Sequence, residues 1–154
     1  MLLPGTFKFA GILFLVAGTF LGIIRFYFGI KPGLLDLKPF ALYSSYIENK
    51  YMQFVGNNMS EEVVGLLILI GLFMIAFSRD KKESEVKDNL RVKALYLTIY
   101  IQTFFLVGSF LFTFGFAFVY ILIINIAFPF IVFIITFRTM LLRYQRRNKS
   151  NELL

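Results

Sequence analysis

Few residues of this chain have the types and spacing that enzymes use. Ser44, Ser45 and Glu48 lie close together, and a serine near a carboxylate is one part of a nucleophilic site. Such a serine needs a base to activate its hydroxyl, and the chain contains neither His nor Cys. A P-loop, a GxGxxG motif and an acidic metal cluster are also absent from the sequence. We therefore expect a protein that is not an enzyme and that uses no metal and no cofactor.

Arg25 is the one charged residue inside a long apolar stretch, a few residues from its end. A charge within a membrane span is costly and is usually paired or functional. Glu61 and Glu62 begin the next apolar stretch, so a hairpin brings them to a similar depth. We predict an ion pair between Arg25 and one of these carboxylates. The alternatives are a guanidinium that reaches the outer surface and one that binds an anion or a lipid phosphate.

Polar side chains also recur at helical spacing in the third long apolar segment, where the stripe is Thr98, Gln102, Ser109 and Thr113. In the fourth segment Pro129 has no backbone N–H, and its ring displaces the carbonyl of Asn125. That freed carbonyl needs a partner in lipid. With a turn near Gly115, Gln102 lies at a comparable depth. We predict that these polar groups fasten a helical hairpin, with a solute path as the alternative.

Four glycines in the first apolar segment share one face of a regular helix: Gly11, Gly18, Gly22 and Gly29. The stretch "GTFLG" is a small-xxx-small motif, which lets two helix backbones approach closely. We predict that this face contacts another helix, either of the same chain or of another subunit.

The elements that must position these residues are membrane-spanning helices. Of the 154 residues, 58% are hydrophobic, and the mean hydropathy is +0.76, which is outside the range of a soluble domain. Uncharged runs cover 9–24, 63–78 and 94–137. A helix over the last run would be roughly 66 Å long, against about 30 Å of hydrocarbon, so it must be two spans. The sequence predicts an all-α integral membrane protein with four transmembrane helices.

We expect a single transmembrane domain over 1–154, with spans at about 7–30, 61–78, 93–115 and 118–140. A polar elbow (79–92) and a basic tail (141–154) complete it. The first span is expected to be retained, because no A-x-A-like cleavage site follows it. Short loops rich in Lys and Arg stay in the cytoplasm. Six such residues lie within 79–93, whereas the loop at 31–62 has three and four acidic residues. Both termini are therefore predicted to be cytoplasmic.

Two shorter helical features are predicted outside the membrane. In the outer loop, a helical stripe of Phe40, Tyr43, Ile47, Tyr51 and Phe54 predicts an amphipathic interfacial helix. Asn58 or Ser60 is expected to cap the second span, with Glu61 in its first turn. In the elbow, Asp80 and Glu83 resemble a capping box, which predicts that the third helix begins near residue 81.

By elimination, the sequence predicts a non-catalytic accessory or scaffold subunit of a larger complex in a bacterial inner (cytoplasmic) membrane. Its expected partners are other integral membrane proteins and lipid. The net charge of +7 is explained by topology rather than by nucleic acid, which is not an expected partner. The alternatives are a small homo-oligomeric channel or transporter lined by Thr98, Gln102 and Ser109, and a membrane sensor that binds a lipid or small molecule.

Overall fold

The computed structural model describes residues 2–45, 49–79 and 85–151. Most of these residues are helical, and four of the described helices are long and apolar enough to cross a membrane. They are α1 (Thr6–Gly22, continued by a π-helix at Ile23–Tyr27), α2 (Ser60–Phe77), α3 (Glu85–Phe112) and α4 (Phe116–Asn151). The prediction of four long apolar helices is confirmed.

The helix lengths follow from the apolar runs and their flanks. The 18 residues of α2 span about 27 Å, close to the hydrocarbon thickness of a bilayer. The 36 residues of α4 span about 54 Å, so α4 extends well beyond one bilayer core. Pro129 lies inside α4, which continues on both sides of it.

The chain divides into two compact units, the first formed by Met1–Ile12 with Gly71–Leu154 and the second by Leu13–Ile70. The core of the first unit is where α2, α3 and α4 meet. Its buried apolar residues are Ala76, Ala94, Phe133, Phe137 and Leu141. Phe133 stacks on the partly buried Phe77 and on Phe137, with ring centroids 5.6 Å and 6.1 Å apart.

The N-terminal segment joins this first unit through backbone hydrogen bonds. Leu3 N donates to the carbonyl of Phe77 at 3.0 Å, and Arg79 N donates to the carbonyl of Leu3 at 2.9 Å. The end of α2 is therefore tied to the residues that precede α1. The predicted capping box of the elbow and the predicted start of α3 near residue 81 lie outside the described residues.

The end of α1 differs from the regular helix assumed for its glycines. The π-helix at Ile23–Tyr27 widens the last turn, and Gly29 adopts a left-handed φ of +69°. Ile30 N donates to the carbonyl of Ile24 at 3.2 Å, a pattern that ends a helix after a left-handed glycine. The assignment of Gly29 to the packing face is therefore wrong, because Gly29 ends the helix instead.

The loop at 31–62 contains strands where a helix was expected. Phe40–Ser45 (β2) pairs antiparallel with Asn49–Phe54 (β3), with Phe40 opposite Phe54. The prediction of an amphipathic helix is wrong for these described residues, and Ile47 lies outside them. Aromatic side chains favour strands as well as interfaces, so the same residues suit paired strands. The paired strands bond their backbone groups to each other.

A second, shorter ladder closes the base of this hairpin. After a 3₁₀ turn at Gly33–Leu35, the two residues Asp36–Leu37 (β1) pair with Asn57–Asn58 (β4). Met59 N then donates to the carbonyl of Leu35 at 2.9 Å. The ladder fixes the chain one residue before α2 begins, and so positions the first turn of that helix.

Candidate functional site

Two glycines of α1, Gly11 and Gly18, lie against α2 with no room for a side chain. A Cβ atom on Gly11 would lie 2.8 Å from Met74 Cβ and 2.9 Å from the carbonyl oxygen of Gly71. A Cβ atom on Gly18 would lie 2.9 Å from Leu67 Cβ. All three distances are shorter than van der Waals contact allows. Glycine at these two positions therefore lets the backbones of α1 and α2 approach closely.

Gly22 lies in a looser part of the same face, because its added Cβ would be 3.3 Å from the Val64 side chain. Around Gly29 such an atom would meet nothing within 4 Å. The structure therefore brings three of the four predicted glycines to α2, and both helices belong to one chain.

Arg25 lies beside the first turn of α2. Its Nη2 atom donates to Glu61 Oε1 at 2.5 Å, and the Arg25 side chain is 18% exposed. Glu62 makes a different contact, since its Oε1 atom accepts a hydrogen bond from Asn57 Nδ2 at 3.1 Å. The sequence left the choice of carboxylate open, and the structure pairs Arg25 with Glu61.

Asn58 is the centre of a cap network that the sequence indicated only in part. Its Oδ1 atom accepts from the backbone N–H of Ser60 at 3.2 Å and from the Ser60 hydroxyl, which caps α2. Its Nδ2 atom donates to the carbonyl of Pro32 at 3.0 Å and to Asp36 Oδ1 at 2.7 Å. One side chain thus joins the helix start to the segment that follows α1. We call Arg25, Asp36, Asn57, Asn58, Ser60, Glu61 and Glu62 the cap network.

The predicted amide contact between α3 and α4 also forms. Gln102 Nε2 lies 3.5 Å from the carbonyl oxygen of Asn125, the group that Pro129 deprives of its helical partner. Gln102 Nε2 also donates to the side-chain oxygen of Asn125. One glutamine therefore serves both the freed carbonyl and the amide next to it.

The hydroxyl groups of the polar stripe bond within their own helix. Thr98 Oγ1 donates to the carbonyl of Ala94 at 2.8 Å, and Ser109 Oγ donates to that of Phe105 at 2.7 Å. Thr98 and Ser109 are both buried. Such hydroxyl-to-carbonyl bonds satisfy the donor without a partner helix. Of the stripe, Gln102 makes the contact that crosses to α4.

A small recess lies on the first unit, between the start of α1, the end of α2 and the middle of α4. Its lining, which we call the basic recess, is Lys8, Ile75, Ala76, Ser78, Phe133, Ile134, Phe137 and Arg138. It is open on one side and has internal room of about 10 Å³, enough for one water-sized group. Ligand pockets are far larger, at about 300–1,000 Å³, so this recess is not a ligand pocket.

Arg91 is a buried cation that the sequence analysis did not single out. Its side chain is 6% exposed, its Nη2 atom donates to the carbonyl of Ser78 at 3.3 Å, and its guanidinium carbon lies 5.0 Å from the centre of the Phe137 ring. Ser78 and Phe137 both line the basic recess. The signal was the spacing of Arg91, Ala94 and Thr98, which places the arginine on the buried face of α3.

Among the described residues, no group of three acidic, His or Cys side chains could hold a metal ion. Ser44 and Ser45 belong to β2, whereas Glu48 lies outside the described residues. Comparisons with protein-family models, with curated proteins and with solved structures found no match to this chain.

Proposed function

We propose that this chain is a non-catalytic accessory or scaffold subunit of a larger protein complex in a bacterial inner membrane. The observation that carries the proposal is the distribution of polar and apolar groups on the α3–α4 hairpin. Polar groups there are turned inward and bonded within the chain, while aromatic side chains cover the outside. This distribution favours a protein that acts through contacts of its outer faces over an enzyme or a channel.

The inward polar groups weigh against the alternative of a homo-oligomeric pore. Such a pore needs Thr98, Gln102 and Ser109 on a shared axis. Thr98 and Ser109 are only 5% and 6% exposed, and Asn125, the partner of Gln102, is 8% exposed within the single chain. A carrier would also need ionisable groups near mid-membrane, and α3 carries none between Lys93 and its end.

The aromatic surface supports a role in binding other membrane proteins. Phe104 and Phe112 of α3 are 82% and 81% exposed, and Phe114 and Tyr120 follow on the turn and on α4 with similar exposure. A helix that is apolar on its outer faces contacts lipid or protein on every side. Large aromatic rings contribute much of the packing energy at protein interfaces.

The charge pattern supports the proposed orientation, with four crossings and both termini in the cytoplasm. The segments 79–93 and 138–149 hold eleven of the sixteen basic residues. Short segments of this kind stay on the cytoplasmic side. The two-stranded ladders and the cap network then lie on the outer side, where they would be available to an extracytoplasmic part of the complex.

The proposal is tested by purifying a tagged chain from its native membranes in mild detergent and identifying the bound proteins by mass spectrometry. We expect one or more larger membrane proteins in stoichiometric amounts. The Phe104→Ala/Phe112→Ala variant should lose them. The matched Phe9→Ala/Phe20→Ala variant, which truncates two exposed rings of α1, should keep them. A homo-oligomer without companions would contradict the proposal.

A further inference from the structure

We propose that one face of the β2–β3 hairpin inserts into the adjacent lipid leaflet, so that the hairpin lies on the membrane surface. This face, which we call the apolar hairpin face, consists of Phe40, Leu42, Met52 and Phe54. It is covered by phospholipid rather than by a second copy of the chain or by another protein. The proposal rests on the insertion of α1 and α2 in a membrane, and it holds for either orientation of the chain.

The strand register brings the apolar hairpin face together. Phe40 pairs with Phe54, and their rings are in edge-to-face contact with centroids 5.4 Å apart. Alternate residues of a strand point to the same side, so Leu42 shares the face of Phe40. Met52 lies across from Leu42 in the same register. All four side chains are between 53% and 74% exposed, so the cluster is open at the surface of the chain.

An apolar cluster on a small hairpin is unfavourable in water. Soluble proteins rarely expose large contiguous apolar patches, and such patches mark contacts with a membrane or with another protein. A two-stranded hairpin is also only marginally stable by itself, and gains from a surface against which it packs. Gln53, at an alternate position of β3, is a polar side chain that is exposed as well. The hairpin is therefore amphipathic, as segments that lie in a membrane interface are.

The connection to α2 keeps the hairpin near the membrane surface. The β1–β4 ladder lies between the hairpin and α2, and Met59 N donates to the carbonyl of Leu35 immediately before that helix begins. At about 3.3 Å per residue, the stretch from Phe54 to Ser60 covers at most about 20 Å. Lipid is thus beside the hairpin at all times, whereas a second protein must first associate with it.

The end of α1 indicates the membrane boundary on the same side. Arg25 contacts Glu61, which places this end of α1 at the start of α2. Tyr27 and Phe28 follow as an edge-to-face pair, with ring centroids 5.1 Å apart and both side chains exposed. Tyrosine is enriched at the depth of the lipid headgroups. The hairpin therefore begins close to the level at which aromatic side chains meet the headgroups.

The charges of the two strands are compatible with a lipid surface. β2 and β3 contain no acidic residue, and Lys50 is their one basic residue. Anionic headgroups therefore do not repel the strands, and a basic residue near them is attracted. The pair of Phe40 and Phe54 lies at the end of the hairpin next to the β1–β4 ladder, whereas the pair of Ser44 and Lys50 lies toward the other end. The apolar part of the hairpin is thus the part nearest to the spans.

The test uses the full chain with single cysteines, since the chain itself contains none. Leu42→Cys, Phe54→Cys and Gln53→Cys are each labelled with bimane in detergent and reconstituted into phosphatidylcholine vesicles. Lipids with a doxyl group near the glycerol end of an acyl chain should quench bimane at positions 42 and 54 at least about twofold more than at position 53. Iodide, present on both sides of the membrane, should show the opposite order. Equal quenching by iodide at all three positions would overturn the proposal.

Protection of positions 42 and 54 from both quenchers would overturn lipid as the occupant. If that protection is lost when the protein is diluted in lipid, the face is covered by a second copy of the chain. Met52 is left unchanged in these variants, because its left-handed φ of +48° would add a backbone effect to any substitution. If Phe54→Cys does not elute as a single species, Leu42→Cys reports on the same face.

A control variant separates failure of this proposal from failure of membrane insertion. Phe20→Cys places the label at an exposed position of α1, where doxyl lipids should quench it. Quenching at position 20 together with iodide quenching at 42 and 54 would overturn the hairpin site alone. Absence of lipid quenching at position 20 would overturn membrane insertion, and with it both the proposed function and the hairpin site. A pull-down without companion proteins would leave all of these measurements unchanged.

Discussion

At the residue scale, the contact between Arg25 and Glu61 joins two groups of different exposure. The Arg25 side chain is mostly buried, at 18% exposed, while that of Glu61 is 54% exposed. Exposed ion pairs contribute only about 0.2–1 kcal/mol, because water screens them and two long side chains must be ordered. An ion pair stabilises an arginine near the end of a membrane span more than it stabilises a fully exposed arginine. The pair is therefore a positioning contact of modest energy.

We predict that a double-mutant cycle with Arg25→Ala and Glu61→Ala gives a coupling energy of about 0.5–1 kcal/mol. The measurement is the free energy of unfolding of the purified chain in mixed micelles with increasing denaturing detergent. The same cycle with Glu62→Ala is the control. It should give coupling near zero, because Glu62 accepts its hydrogen bond from Asn57 instead. Equal coupling to both carboxylates would contradict the specific pairing.

Arg91, which sequence reasoning missed, shows that a pattern of charges does not reveal which of them is buried. Arg91 stands in a segment with ten charged residues among fifteen, so its charge looked like the others. What distinguishes it is the buried face of α3, which it shares with Ala94 and Thr98. Burial of a cation depends on what packs against it, here Phe137 of α4, which is distant in sequence.

At the element scale, α1 and α2 pack closely because atoms of α2 occupy the space that side chains at two glycines of α1 would need. Gly11 and Gly18 each have facing atoms within 2.9 Å of an added Cβ. In lipid there is no hydrophobic drive between helices, so close packing and polar contacts supply the association energy. Gly65 of α2 provides an internal comparison, because an added Cβ there meets nothing within 4 Å.

We predict that Gly18→Ala destabilises the chain by about 1–3 kcal/mol, since Leu67 and Ile68 must move to admit the new Cβ. The measurement is the fraction of monodisperse protein that remains after heating in detergent, with the midpoint temperature compared to wild type. Gly65→Ala should leave the midpoint unchanged or raise it slightly. A Gly18→Ala midpoint equal to that of Gly65→Ala would show that the tight approach contributes nothing to stability.

The loop at 31–62 shows why element type was harder to predict than element position. Its place between two apolar runs followed from the sequence, and its aromatic residues indicated an interface. The spacing of Phe40, Tyr43 and Tyr51 favoured a helix, but periodicity over so short a segment does not exclude a strand. The pairing of β2 with β3 decides it, and strand pairing is a contact between residues separated in sequence.

At the scale of the whole molecule, the proposed orientation in the membrane is argued from charges rather than from packing. The chain contains no cysteine, so single cysteines report the exposure of individual positions without background. Gln53 of β3 and Lys93 of α3 are both exposed in the structure, and the proposed topology places them on opposite sides.

We predict that Gln53→Cys reacts with a membrane-impermeant maleimide on intact spheroplasts, whereas Lys93→Cys reacts only after the membrane is permeabilised. The expected difference is about tenfold or more in labelling rate, since the charged reagent does not cross the bilayer. Arg146→Cys in the basic tail should behave like Lys93→Cys. Labelling of Lys93→Cys on intact spheroplasts would reverse the assigned orientation.

The sequence alone predicted four long apolar helices, because local properties carry that information. Long uncharged runs are typical of membrane-spanning helices, in which every backbone group must be bonded within its own segment. The same local reading found Arg25, the capping residues of α2, and the carbonyl that Pro129 frees.

The tertiary structure decided which groups meet. It selected Glu61 over Glu62 for Arg25, and it turned Gln102 toward Asn125. It also ended α1 at Gly29 and placed Lys8, Arg91 and Arg138 around one corner of the first unit. These outcomes depend on contacts between segments far apart in the chain. The periodicity of a single helix shows which face is apolar, and it does not show which segment packs against that face.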